Sequence, residues 1–485
     1  MKLSAALIVG LFISAFGVGC SNQPTVVGGG TPPGGPTLAP DVTVISATPG
    51  DTSAVVGTID PGMCVGPTHI MEFNNLHIII RPKSSPTTVT YSQTQTLFWS
   101  SVVTQVGGGH FPNTGADMYD PSCYYDPLSQ RWFLAQNDNE GGGGIYIAVS
   151  ATSDPTGTWR GFVDNPPQIN DLEPLVSADR NGMYLCAFDG TGSVPTGAQF
   201  CDAFPIADMQ WSGAGYPLTS HLNRLSGFQI ASRIAADTNA SKSSSAYFVV
   251  IGRSGGAQNC ANAPSPCTWG WLYSLGQWSG TTASIVGGTN QALSSSMQWY
   301  SPPSSGGVAQ PGAGNEVRVA ESHTCGNAYA TNASSSFFIA CGEGISSTHM
   351  GVFWEQINPT TPTVIQSGML APVDGNSNPI DAIFPAVAVD GSGNAAITYT
   401  GVSSTIYPST YATVHLSSDT LGMFRTPAQI YPGTTSYTAN NPANWGVYGA
   451  SAVDPLDGTL WGYNQVGLSA PNLTTGIVHF SVSGP

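Results

Sequence analysis

The chain has 485 residues, of which 8% are charged; 12 Lys and Arg face 28 Asp and Glu, for a formal net charge of −16. Phosphate backbones are held by clustered Lys and Arg, so these few scattered cations argue against a nucleic-acid partner. The acidic excess likewise argues against direct adhesion to anionic lipid headgroups, and it is compatible with Ca²⁺ as a bound ion. With so few charges, folding rests on apolar burial and backbone hydrogen bonds rather than on surface ion pairs. The length suits one large β domain or two to three ordinary ones.

Met1-Lys2 leads into an apolar run from Leu3 to Val18 and then Gly19-Cys20. One positive charge, a short apolar stretch and small residues before a break describe a bacterial export signal. The run is too short and wrongly flanked for a spanning helix. The Val18-Gly19-Cys20 junction resembles a lipobox, with Gly17 where lipoproteins usually carry Leu. It predicts a signal peptide over 1–19 and lipid attachment at Cys20, with plain secretion as the alternative. Ser21 rather than Asp after the cysteine fits sorting to the outer membrane or cell surface. Any contact with the membrane would then run through the lipid alone, and the mature chain works outside the cytoplasm. Residues 21–41, SNQPTVVGGGTPPGGPTLAPD, are too poor in apolar area to order themselves and read as a tether.

From Val42 the pattern changes. Short β-rich runs recur, among them HIMEFNNLHIII, RWFLAQ, IYIAVS, AYFVVIG, SFFIAC, AAITYT and LWGYNQ, separated by Gly, Asn, Asp, Pro and Ser clusters. Many short, evenly spaced strands imply an all-β sandwich, barrel or propeller. An internal repeat decides among these. DPSCYYDPLSQRWFLAQ, EPLVSADRNGMYLCAF, FPAVAVDGSGNAAITYT and YGASAVDPLDGTLWGYN share one template. In each, a Pro or Gly (Pro121, Pro174, Pro385, Gly449) precedes an Asp (Asp126, Asp179, Asp390, Asp454) by five residues. A polar turn and a second strand follow. Asp suits this place because its carboxylate accepts backbone N–H groups inside the turn. The spacing predicts a single β-propeller over 42–485 with four-stranded antiparallel blades, seven of them, or six. TVISAT at 43–48 is expected to close the ring against the terminal IVHFSV, leaving no exposed edge.

Nine cysteines are present; setting Cys20 aside leaves Cys64, Cys123, Cys186, Cys201, Cys260, Cys267, Cys325 and Cys341. An even remainder in an exported chain predicts disulfides, and eight cysteines allow 105 pairings. Short separations favour Cys260–Cys267, Cys186–Cys201 and Cys325–Cys341, which leaves Cys64 with Cys123.

VGPTHIMEFNN, DPSCYYDPLSQRWFLAQ, IAVSATSDPTGTW, FWEQIN, FPAVAVDGSGNAAITYT and NWGVYGASAVDPLDGTLWGY, taken together, resemble successive blade motifs of secreted bacterial β-propeller proteins, a family with no settled activity. The resemblance spans most of residues 60–465 and implies the propeller fold and an exported place of work. The chain departs from that family at Val447-Tyr448, where Asp-Tyr is usual after Trp-Gly, and around STYATVH, which lacks an arginine.

Candidate chemistry is sparse. The four repeated Asp read as turn residues, and TSDPTGTW, close to an Asp-box, reads as a hairpin element. Asp138, Asn139 and Glu140 ahead of Gly141–Gly144 offer oxygen ligands of the kind Ca²⁺ takes, although a solvated turn serves the same sequence. Asp171 and Glu173, placed at an inner-strand entrance, form a carboxylate pair suited to acid–base work. His69 and His323, expected near the channel mouth, are open to metal binding, acid–base work or a purely structural hydrogen bond. Trp445 and Tyr448 are candidate sugar platforms or blade-packing aromatics. Two functions follow. The first is a surface module binding a glycan, protein or matrix component. The second is an exported hydrolase or lyase acting on polysaccharide or glycoconjugate. Convergence of carboxylates with Arg or His at one channel mouth would favour the second.

Overall fold

A computed structural model describes residues 42–52, 59–104, 118–138, 144–164, 174–187, 199–209, 223–228, 236, 246–250, 271–279, 282–286, 307–312, 316–319, 329–330, 336–358, 363–438, 445–446, 448–469 and 472–482. The protein is an all-β propeller. Six complete four-stranded antiparallel blades are described. The first is Gly62–Val65, His69–Phe73, His77–Pro82 and Tyr91–Thr94. The second is Met118–Asp126, Arg131–Asp138, Gly144–Ser150 and Trp159–Asp164, with the short Val103–Thr104 added parallel at its outer edge. The third is Leu175–Ala178, Gly182–Ala187, Gln199–Pro205 and Asn223–Phe228. Next in the chain comes a three-stranded sheet, Ala246–Val250, Trp271–Ser279 and Thr282–Val286, and then a two-stranded ribbon, Gly307–Ala309 with Glu316–Arg318. The fourth blade is Tyr329–Ala330, Phe337–Gly344, Met350–Asn358 and Thr363–Leu370. The fifth is Asp381–Val389, Ala395–Ser403, Ile406–His415 and Ala428–Tyr431.

The closing blade draws on both ends of the described chain. Ala450–Val453, Leu460–Ser469 and Asn472–Val482 supply three strands, and Val42–Pro49 supplies the outermost. Val42 pairs with Val482 and Pro49 with Gly476, the closure expected from TVISAT and IVHFSV.

The repeat template explains the local geometry. Pro has no N–H to give the ladder, so it sits where the ladder breaks. Pro121 and Pro385 fall inside β-bulges, between Tyr119 and Ser122 and between Ile383 and Ala386. The residues before them, Asp120 and Phe384, are left-handed at φ 55° and 52°. Five residues after the Pro or Gly, the Asp binds its own turn. Asp126 accepts Ser129 N at 2.8 Å, Asp179 accepts Asn181 N at 2.7 Å, Asp390 accepts Ser392 N at 2.8 Å, and Asp454 accepts Leu456 N at 3.0 Å. Because the first strands all run the same way, these turns gather on one face of the ring.

Neighbouring blades are glued by apolar clusters. Phe73, Trp99, Trp132 and Leu134 join the first and second blades, and Phe133, Ile147, Met183 and Leu185 join the second and third. Phe338, Trp354, Val387 and Tyr399 join the fourth and fifth; Val414, Leu460 and Phe480 the fifth and closing; Met63, Ile70, Trp461 and Tyr463 the closing and first. Each such side chain contributes about 1.5–3 kcal/mol on burial. Two disulfides add covalent links. Cys64–Cys123 staples the first strands of the first and second blades, and Cys186–Cys201 ties two neighbouring strands within the third. Cys341 is also disulfide-bonded; its expected partner Cys325, and the pair Cys260 and Cys267, lie outside the described residues.

Candidate functional site

The two ends of the ring differ. At the end where first strands enter, Ile59, Ile383, Phe384, Val402, Tyr437 and Trp445 form an apolar cluster with Tyr448 packed on it. Trp445 is 1% exposed and meets Tyr437 edge-on at 5.5 Å, so it packs the core and offers no open face to a sugar. Tyr448 belongs to the same plug.

The Asp-turn end carries two adjoining hollows. One is a channel cavity of about 340 Å³ lined by Met63, Val65, Leu128, Val389, Ala452 and Val453, with the Cys64–Cys123 disulfide in its wall. The other is a rim cleft of about 380 Å³ between the first and closing blades, lined by Thr68, Lys83, Ser84, Asp457, Trp461 and His479 among others. Asp454 borders both.

The cleft is built from the Asp454 turn upward. Asp454 is 3% exposed and would be costly to bury alone. The Lys83 ammonium meets both its oxygens at 2.7 Å, and Trp461 Nε1 donates to Oδ2 at 3.2 Å. Three residues on, Asp457 Oδ1 accepts Thr459 N at 2.9 Å and Thr459 Oγ1 at 2.5 Å. These bonds hold the Asp457 carboxyl below its ordinary range, against the effect of burial. Thr459 Oγ1 also lies 2.6 Å from His479 Nε2. The threonine has one hydroxyl proton and gives it to the ionised Asp457, so His479 Nε2–H is the donor and Nδ1 is left as an acceptor. Burial holds the imidazole below its ordinary pKa, assisted by the charge of Lys83. The ring stacks on Trp461 at 4.0 Å and 4°.

Asp454, Asp457 and His479 bring potential ligand atoms within 4.8 Å of one another. The Lys83 ammonium already supplies the counter-charge to Asp454, and two remaining groups are far short of the six to eight oxygens Ca²⁺ takes.

The sequence candidates are placed as follows. His69 opens the second strand of the first blade, at the turn end and not at an inner-strand entrance, because it follows the first hairpin rather than preceding the first strand. Its Nδ1 lies 2.9 Å from the hydroxyl of Thr68, which lines the cleft. Asp138 ends a buried strand and accepts the Tyr146 hydroxyl; burial together with this carboxylate pushes the phenol up to about 12. Asn139, Glu140, Asp171, Glu173 and His323 lie outside the described residues. The Asp-box hairpin is held by Asp154, whose Oδ1 accepts Thr156 N at 2.9 Å, and by Trp159 Nε1 donating to Pro155 O at 2.9 Å.

Sequence reasoning missed Lys83, Asp457, Thr459 and His479. Asp457 sat inside a quoted motif, but Lys83 and Asp454 are 371 residues apart and only ring closure joins them. It also missed a second ionisable group of residues between the first and closing blades. There Glu72 Oε1 accepts Arg81 Nε at 2.6 Å, Glu72 Oε2 accepts Tyr463 OH at 3.0 Å, and His77 Nδ1 meets Asp51 at 2.8 Å. Fully buried Glu72 is pushed upward by desolvation, with Arg81 opposing.

No family model matches the chain, and no curated protein matches it. Among solved structures, an endo-arabinase from Bacteroides thetaiotaomicron is 10% identical, covering 75% of this chain and 94% of that one at a TM-score of 0.32. A GH43_1 enzyme from Xanthomonas citri, complexed with xylose, is 10% identical over 90% of both chains at 0.28. A chain of the mitotic checkpoint complex is 10% identical, covering 98% of this chain and 100% of that one at 0.42.

Proposed function

We propose that the chain is an exported surface module, lipid-anchored through Cys20, that binds carbohydrate at the Asp-turn face and does not cleave it. One observation carries this reading: both carboxylates of the cleft are committed to the ionised state. Glycoside hydrolysis needs one protonated carboxylic acid beside its partner. Here Asp454 is fixed by Lys83, and Asp457 is held low by Thr459. What the cleft does offer is a set of oriented groups: the Asp457 carboxylate, the Thr68 and Ser84 hydroxyls, and an imidazole backed by indole. Fixed donors and acceptors beside an aromatic surface suit the hydroxyls and C–H faces of a sugar. The disulfides support a place of work outside the reducing cytoplasm.

A glycan array with the mature protein tests this. The expected result is retention of a glycan that Asp457→Asn and His479→Ala each weaken about tenfold, the worth of one good hydrogen bond to a charged group. Release of reducing ends from a bound polysaccharide, lost in Asp457→Asn, would overturn the binding reading in favour of hydrolysis.

A further inference from the structure

Resting on the carbohydrate reading of the cleft, we propose that the ligand is an amphipathic glycoside, whose sugar sits in the rim cleft and whose apolar aglycone crosses the Asp454–Gly458 hairpin into the channel cavity. The two hollows open on the same face, and a single turn divides them. Asp454, Pro455 and Gly458 line the cavity; Asp454, Leu456 and Asp457 line the cleft. Their chemistries are opposite. The cleft is polar. The cavity wall is built from Met63, Val65, Leu128, Val389, Ala452 and Val453. Its two carboxylates have no capacity to spare for a polar guest. Asp390 accepts Ser392 N, Asn394 N and Asn394 Nδ2 at 2.8–2.9 Å, and Asp454 is held by Lys83 and Trp461. Tyr125, also in the wall, is kept a neutral phenol by burial, its pKa pushed up to about 12.

A ligand that entered only the cleft would leave this apolar wall wet. One that entered only the cavity would leave the oriented groups of the cleft unused. On the ridge between them Leu456 is 70% exposed, an apolar side chain on a hairpin where a polar one would cost nothing. It marks the path from sugar to aglycone. Small-ligand pockets run upward from roughly 300 Å³, so about 340 Å³ admits an alkyl or aryl group.

The test is titration calorimetry of the mature protein with methyl and octyl β-glycosides of glucose, galactose and xylose, the octyl compounds below their micelle concentrations. An octyl glycoside should bind at least about tenfold more tightly than its methyl partner, the gain from removing two or so methylenes from water. Ala452→Leu, which narrows the cavity, should abolish that gain and leave the methyl glycoside unchanged. If Ala452→Leu does not fold, Leu456→Ser at its exposed position decides, and should reduce the gain at least threefold. Equal binding of methyl and octyl partners overturns the aglycone site and leaves the sugar reading standing. So does a gain that survives in whichever variants fold. Failure of every glycoside to bind overturns both.

Discussion

Lys83 and Asp454 show how a single pair can carry a junction between chain ends. The carboxylate is almost wholly buried and the ammonium is 13% exposed. Removing one partner of such a pair strands the other, at about 3 kcal/mol. Lys83→Met should therefore lower stability by about that amount in urea unfolding, and Lys83→Met/Asp454→Asn should recover most of it. Equal loss in single and double variants would mean that the methylene stem of Lys83, rather than its charge, matters. His77 gives a pH-dependent counterpart. Its hydrogen bond to Asp51 raises the imidazole pKa, against burial, and Glu72 adds to the effect. A raised folded pKa means stability that is fully present below the unfolded value of about 6.5 and lost as pH climbs through the folded one. Wild type should exceed His77→Asn in melting temperature by more at pH 5.5 than at pH 8; a pH-independent difference would contradict the ion pair. None of these partners was legible in the sequence. The turn Asp were, because an Asx turn is closed within three or four residues and leaves a local signature. Lys83 is an ordinary surface residue until the ring brings Asp454 to it.

At the scale of elements, the template of Pro or Gly, five residues and Asp was readable because it encodes a bulge and a turn, both local events. Its irregular copies were not. SRIAADTNASKSSSAYFVV fits the same template around Asp237 and was passed over because Ser232 stands where Pro or Gly was sought. Ala236 just before that Asp is 3% exposed and lines the channel cavity. The Cys64–Cys123 staple closes a separation of 59 residues across two blades, worth about 4 kcal/mol in the chain-entropy model. Cys64→Ser/Cys123→Ser should lose stability of that order, and more than Cys186→Ser/Cys201→Ser, whose 15-residue separation is worth about 3 kcal/mol. Melting under identical non-reducing conditions ranks the two; the reverse order would show that native contacts outweigh loop length. Gly446 illustrates an element-level constraint with no sequence signal at all. A Cβ there would sit 1.8 Å from Ile59 O, so the segment before the closing blade packs directly on backbone.

For the molecule as a whole, closure is the decisive feature. Deleting residues 42–49 removes the outermost strand of the closing blade and exposes the edge of Asn472–Val482. An open edge templates pairing with other chains. The truncated protein is expected to aggregate on concentration, which light scattering follows, while the intact protein stays clear. A truncated protein that remained monomeric with an unchanged melting temperature would show that the ring does not need its clasp. The fold was legible because a propeller is one unit repeated. The cleft was not, because it exists only between the first unit and the last.

The clasp also defines a load path. Val42 and its partner Val482 stand at the Asp-turn end of the closing blade, and His479 of the cleft pairs with Ser46 on the clasp strand itself. A pull applied through residue 41 and resisted by a ligand in the cleft therefore enters and leaves through one blade, with the others outside the circuit. Drawn along its own axis, the clasp strand slides against its neighbour. The pairs from Val42–Val482 to Pro49–Gly476 bear tension together rather than parting one after another. Rupture would then track the barrier to shearing that ladder, not the stability of the ring.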